Sequence, residues 1–195
     1  DHLGDHGAWQ KESYFEAACH VPFLLSWPEC LPAGERNAAL AGLADLFGIA
    51  TSAAGKRELR EGADILAVAQ GKKRAREHFI GMYGSPGSPL FKIMVRQGDW
   101  KYIYMANGGK QQLFNLQADP DELHERSKEE PARVERMRQM AIHALDHPNA
   151  GRALHHGDFL ALPESNRPLR RIYQFDGSRG IKGFPVHPGD VLRKS

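Results

Sequence analysis

Between residues 78 and 116 the apolar pattern settles into a period of two, and this constrains the fold more than any other stretch. Phe79, Gly81 and Tyr83 alternate with their neighbours, Phe91, Ile93 and Val95 with Lys92, Met94 and Arg96, and Trp100, Tyr102 and Tyr104 follow. Residues i and i+2 of a strand share a face, so this alternation predicts strands with one side committed to a core. Gln97-Gly98-Asp99 and Asn107-Gly108-Gly109 stand between the runs and turn the chain back on itself. The stretch predicts a small antiparallel sheet of four strands, the last over Gln112–Leu116. Val134, Met137, Ala141 and Leu145 lie at helical spacing and predict a helix packed on that sheet, closed by His147-Pro148. Trp100 and Tyr102 are expected to pack against this helix rather than form a sugar-stacking platform. Asp119-Pro120-Asp121-Glu122 reads as a helix opening, and Ser127-Lys128-Glu129-Glu130 repeats the capping pattern before the longer helix.

The residues before the sheet read differently. Val21–Trp27 is continuously apolar and predicts a strand buried on both faces, closed by Pro28, Pro32 and Gly34. Asn37 is placed to cap a helix over residues 38–54, with Leu40, Leu43, Leu46 and Phe47 on one face and Gly55 as its stop. Asp45 within it is expected to fix structure rather than do chemistry. Residues 56–77 are charged and irregular around a short apolar patch, Ile65–Val68. Lys+Arg total 26 against 24 Asp+Glu, a net charge of +2 with the basic residues dispersed, so KKRAR at 72–76 is read as a solvated connection. No apolar run approaches the ~20 residues that span a bilayer. Two cysteines make no disulfide framework.

The chemistry-bearing residues crowd the start. Residues 1–16 hold Asp1, Asp5, His2, His6, Lys11, Glu12 and Glu16 around Gly4 and Gly7. A polar, glycine-punctuated loop leading into a buried strand is where α/β enzymes carry reactive groups. Asp1, His2, Asp5 and His6 are metal-ligand types, but the glycines argue against the helix that would gather them on one face, and a hydrogen-bonded polar loop is the plainer reading. Lys11 is either a solvated surface group or a point charge held for an anionic substrate.

The stretch LGDHGAWQKESYFEAACHVPFLLSWP resembles the second signature region of the sulfatase family, in the alkaline-phosphatase-like superfamily. Leu3, Gly4, Asp5, His6, Gly7, Trp9, Lys11, Phe15, Glu16, Val21 and Pro22 fall in register with it. GLADLFGIATSAAG is similar to a further family segment, with Gly48-Ile49 where Pro-Thr is usual. FKIMVRQGDWKYIYMANGGKQQLFNLQADPDEL is similar to the family's C-terminal strands. The resemblance implies an α/β fold, the C-terminal part of an alkaline-phosphatase-like sulfatase. Residues 1 to about 77 would complete the large α/β domain, 78–147 would form the small antiparallel-sheet-plus-helix subdomain, and 148–195 an irregular C-terminal tail.

The family's Lys contacts the substrate sulfate, so Lys11 inherits a catalytic and substrate-binding role, and His6 is a second candidate for substrate contact. The family's Ca²⁺ ligands and its formylglycine, made from C/S-x-P-S-R, are expected upstream of Asp1. Neither Cys19 nor Cys30 fits the nucleophile motif. No metal ligand is carried over to this chain, and the fragment alone is expected to be inactive. A sulfated small molecule or sugar is the expected partner, nucleic acid and membrane are not, and the C-terminal tail is a candidate oligomer contact. A phosphonate-monoester or phosphodiester hydrolase of the same superfamily, or a noncatalytic interaction module, remain the alternatives.

Overall fold

The computed structural model describes residues 2–165 apart from 12, 57, 59 and 60. Asp1, His187 and the tail from residue 166, including the expected oligomer contact, lie outside the described residues. The chain divides into two units, Asp1–Pro163 and Glu164–Ser195, and every element below belongs to the first.

The centre is the expected antiparallel meander. Strands β3 (His78–Tyr83), β4 (Lys92–Gln97), β5 (Trp100–Met105) and β6 (Lys110–Asn115) pair in sequence order. The register sets Val95 opposite Tyr102, and Tyr102 opposite Leu113. Gly98, at φ 55°, makes the first tight reversal. Helix α4 (Pro131–His143) covers one face, where Met137, Ala141 and Leu145 join Phe91, Ile93, Val95, Tyr102 and Leu113 in a fully buried core. Tyr102 is fully buried, which leaves it no role as a sugar platform. Trp100 packs half-buried at the edge of this core, with the Arg133 guanidinium 4.2 Å from its ring centroid.

Residues 150–162 also close on this face. The short hairpin β7 (Leu154–His155) and β8 (Asp158–Phe159) stacks Phe159 on Tyr104 at 4.0 Å, and the Tyr104 hydroxyl donates to Leu160 O at 3.0 Å. The opposite face carries Met94, Ile103 and Phe114, and it is covered by Tyr14 and Phe15 from the N-terminal loop. The sheet is therefore sandwiched between α4 and the loop that leads from Lys11. Gly81 makes room on this face, because a Cβ there would lie 2.9 Å from the Tyr14 ring.

Four sequence expectations need correction. Val21–Trp27 forms no strand, and Leu24 is 90% exposed. A doubly buried strand needs neighbours to take its N–H and C=O groups, and among the described residues none lies beside it. Helix α2 runs only over Asp45–Ala53. Asn37 Oδ1 accepts the Ala39 N–H at 2.9 Å in a turn, and Leu43, Leu46 and Phe47 are exposed. Gly55 ends α2 as expected: at φ 68° it donates to Ser52 O, and Lys56 N–H donates to Thr51 O.

Residues 119–130 form turns rather than a helix, because Asp119 accepts the His124 N–H at 2.8 Å and Glu122 is drawn into the interior. Nor does Ser127 cap α4; Glu130 precedes Pro131, which starts the helix with its fixed φ. The helix stops at His143, before His147-Pro148.

Asp45 does fix structure. Its buried carboxylate accepts the Gly42 N–H at 2.8 Å, the Ala63 N–H at 2.6 Å and Arg76 Nη2 at 2.5 Å. This ties the start of α2 to the segment that enters α3 (Ile65–Ala69), itself capped by Asp64.

Candidate functional site

The loop carrying the predicted site residues is a small ribbon. Strands β1 (His2–Leu3) and β2 (Trp9–Gln10) pair His2 with Gln10 and Leu3 with Trp9, and a 3-10 turn over Asp5–Gly7 forms the tip. Gly4 at φ 117° and His6 at φ 55° are what the tight tip requires of its backbone. Lys11 follows β2 directly and is exposed. Lys11 thus stands at the end of the β1–β2 ladder.

His6 meets an aromatic ring. Its ring stacks on Phe15 with centroids 3.9 Å apart and planes 8° from parallel. Phe15 in turn meets Phe114 of β6 edge-on at 5.7 Å. His2, treated in the sequence as a loop residue, is buried; Ser13 Oγ hydrogen-bonds its Nε2, and Nδ1 has no partner. Burial lowers the His2 pKa below its ordinary value. Asp5 accepts the Leu3 N–H at 3.1 Å, and backbone hydrogen bonds hold its carboxyl below the usual range. These contacts make the tip the hydrogen-bonded loop that its glycines suggested. Among the described residues no group of three or more His, Cys, Asp or Glu side chains is arranged to hold a metal ion.

The segment Tyr14–Glu16 meets a charged cluster that the sequence did not announce. Lys101, on the loop-facing side of β5, is buried, and its Nζ donates to Tyr14 O at 2.7 Å. The same ammonium meets Glu16 Oε1 at 2.5 Å and Glu122 Oε1 at 2.8 Å. Glu122 Oε2 accepts the Glu16 N–H at 2.5 Å, while its Oε1 is reached by the ammonium without an aligned hydrogen bond. Glu16 opens the short helix α1 (Glu16–Cys19), and its other oxygen lies 3.1 Å from His20 Nδ1. Glu16, Lys101 and Glu122 all belong to the stretches quoted above for their motif likeness, but nothing local marks them as partners. Cys19 is exposed as a residue, yet its Sγ faces Tyr14 O and Phe15 O, and desolvation raises its pKa, which argues against a thiolate nucleophile.

No protein-family model matches the chain. Choline-sulfatase of Rhizobium meliloti is 32% identical over 128 residues, 63% of this chain and 24% of that protein. Arylsulfatase K of Xenopus laevis is 24% identical over 168 residues, 77% of this chain and 30% of that protein. Among solved structures, BT4656 in complex with its substrate D-glucosamine-2-N,6-O-disulfate superposes with a TM-score of 0.66 at 19% identity, over 76% of this chain and 33% of that one. The yidJ protein of Bacteroides fragilis gives the same TM-score at 17% identity, over 78% of this chain and 36% of that one. The chain is similar in sequence to sulfatases. Its mixed α/β fold is that of the alkaline-phosphatase-like sulfatases. It spans less than a third of the length of the curated sulfatases named here.

Proposed function

We propose that this chain is the C-terminal portion of a sulfatase that hydrolyses the sulfate ester of a small molecule or sugar, and that Lys11 contacts the sulfuryl group. The placement of Lys11 carries the reading. It stands at the motif position immediately after the β1–β2 ladder, on a loop whose far side is packed onto the sheet. In this reading residues 1 to about 77 complete a large α/β domain against which the small sheet packs.

The positive charge of Lys11 attracts the anionic ester on binding. As the bond to the leaving oxygen breaks, negative charge gathers on the sulfuryl oxygens, and a fixed ammonium stabilises that state more than the ground state. His6, stacked at the ribbon tip, presents a ring edge for the substrate. The described residues do not assemble a cation site. Calcium and a formylglycine nucleophile are what the sulfatase resemblance implies for the complete enzyme, and no step is assigned to either group here.

The test compares the 195-residue chain with the protein produced from the complete reading frame that contains it. Release of inorganic sulfate from an aryl sulfate by the long form, and none by the 195-residue chain, is the expected result. Turnover by the short chain, or hydrolysis of phosphonate monoesters without sulfate release by the long form, would overturn the assignment.

A further inference from the structure

We propose that Lys101 and Glu122 are positioning residues that fix the loop bearing His6 and Lys11 on the small sheet; the catalytic consequence rests on the sulfatase reading above. A two-stranded ribbon with two residue pairs has little stability of its own, so β1–β2 cannot determine where its tip points. Its anchor is the segment Tyr14–Glu16. Lys101 and Glu122 hold that segment at three points: Tyr14 O, the Glu16 N–H and the Glu16 carboxylate. Between the first two lies Phe15, which passes the constraint to His6 through a parallel stack and to β6 through Phe114.

Two further observations favour a positioning role over incidental packing. The cluster buries one ammonium between two carboxylates, an arrangement costly in desolvation and better suited to specifying one geometry than to adding stability. The second is backbone strain. His6, Glu122 and His156 are the non-glycine residues at positive φ among those described, and two of them stand at opposite ends of this bridge. Glu122, at φ 56°, holds a conformation that side chains rarely adopt while its carboxylate reaches Lys101 and the Glu16 N–H.

The experiment uses the complete enzyme with Lys101→Met and Glu122→Gln, each alone and combined with Lys11→Ala. Two readouts are taken: kcat/KM on an aryl sulfate, and the His6 ring resonances in histidine-labelled protein, which carry the ring-current shift of the Phe15 stack. Both variants are expected to move the His6 resonances toward solvent-exposed values and to lower kcat/KM about tenfold to a hundredfold, mainly through kcat. In the Lys11→Ala background the same substitutions should cost little more, because they act through the loop that carries Lys11. Should Lys101→Met fail to fold, Glu122→Gln, which keeps the side-chain shape, carries the test.

Unchanged His6 resonances in the folded variants would overturn the proposal whatever the activity. So would wild-type kcat/KM in the variants of an active enzyme, or full additivity with Lys11→Ala. Shifted His6 resonances in a protein that releases no sulfate would support the anchoring and reject the sulfatase reading, so the two failures are separable.

Discussion

Asp45→Ala tests the non-catalytic part of the account most sharply. The carboxylate has no solvent exposure and accepts the Gly42 and Ala63 N–H groups as well as the Arg76 guanidinium, whose side chain is 20% exposed. Removing it strands two backbone donors, each worth about 1–3 kcal/mol when left unsatisfied. It also strands a largely buried cation, and breaking such a pair from one side costs about 3–5 kcal/mol. These contributions overlap, because Arg76 can swing toward solvent and water can reach Gly42. We expect a net loss of about 3–5 kcal/mol for the alanine variant, the range for breaking such a pair. Asp45→Asn should cost less, since one amide oxygen still accepts an N–H while the charge opposite Arg76 is lost. Urea unfolding gives the numbers, as a lower midpoint at an unchanged slope. In an Arg76→Met background the penalty of Asp45→Ala should shrink, because no cation is left unpaired. A shift within about 0.5 kcal/mol, typical of an unremarkable surface substitution, would refute the claim that this carboxylate ties α2 to the approach of α3.

Other expectations concern pH and glycine. Burial depresses the His2 pKa below its ordinary 6.5, so between the depressed and the ordinary value the unfolded chain binds the proton and the folded chain does not. Stability should fall as pH drops through that window, and unfolding curves for His2→Gln should show a flatter dependence from about pH 7 to 5; equal slopes would contradict it. Gly81→Ala drives a Cβ to 2.9 Å from the Tyr14 ring and 3.3 Å from Met94, for an expected loss of about 1–3 kcal/mol in denaturant unfolding. Gly48→Ala, inside α2 with its nearest neighbour at 3.9 Å, should instead gain about 0.5–1 kcal/mol in the same assay.

The sheet was legible because its signals are local. Period-two alternation and glycine turns specify β4 and β5 without reference to the rest of the chain, and the spacing of Met137, Ala141 and Leu145 selects the face of α4 that covers them. What was missed depends on distant partners. Val21–Trp27 has the composition of a buried strand, but a strand exists only with neighbours. The pattern at Asp119–Glu122 is a sound local helix signal, and it loses because Lys101 claims the Glu122 carboxylate. Lys101 itself reads as a solvent-facing residue of an alternating strand; it is buried because Glu16 and Glu122 arrive from far along the sequence. For the site, the motif register singled out Lys11 in a polar loop; the short β1–β2 ladder before it had no alternation pattern long enough to read. The stack of His6 on Phe15 carried no sequence signal, since aromatic neighbours across a turn have no fixed spacing.

The central claim rests on Lys11, and one substitution in the complete enzyme addresses it. In the proposed mechanism Lys11→Ala removes a charge that favours the transition state over the ground state, so kcat/KM for sulfate release should fall by on the order of a hundredfold or more. Lys11→Arg should rescue little, because a planar guanidinium does not replace a compact ammonium. The melting temperature should stay close to wild type, since the side chain is exposed. Near-normal kinetics in the alanine variant would contradict the account and leave Lys11 a surface residue of the loop.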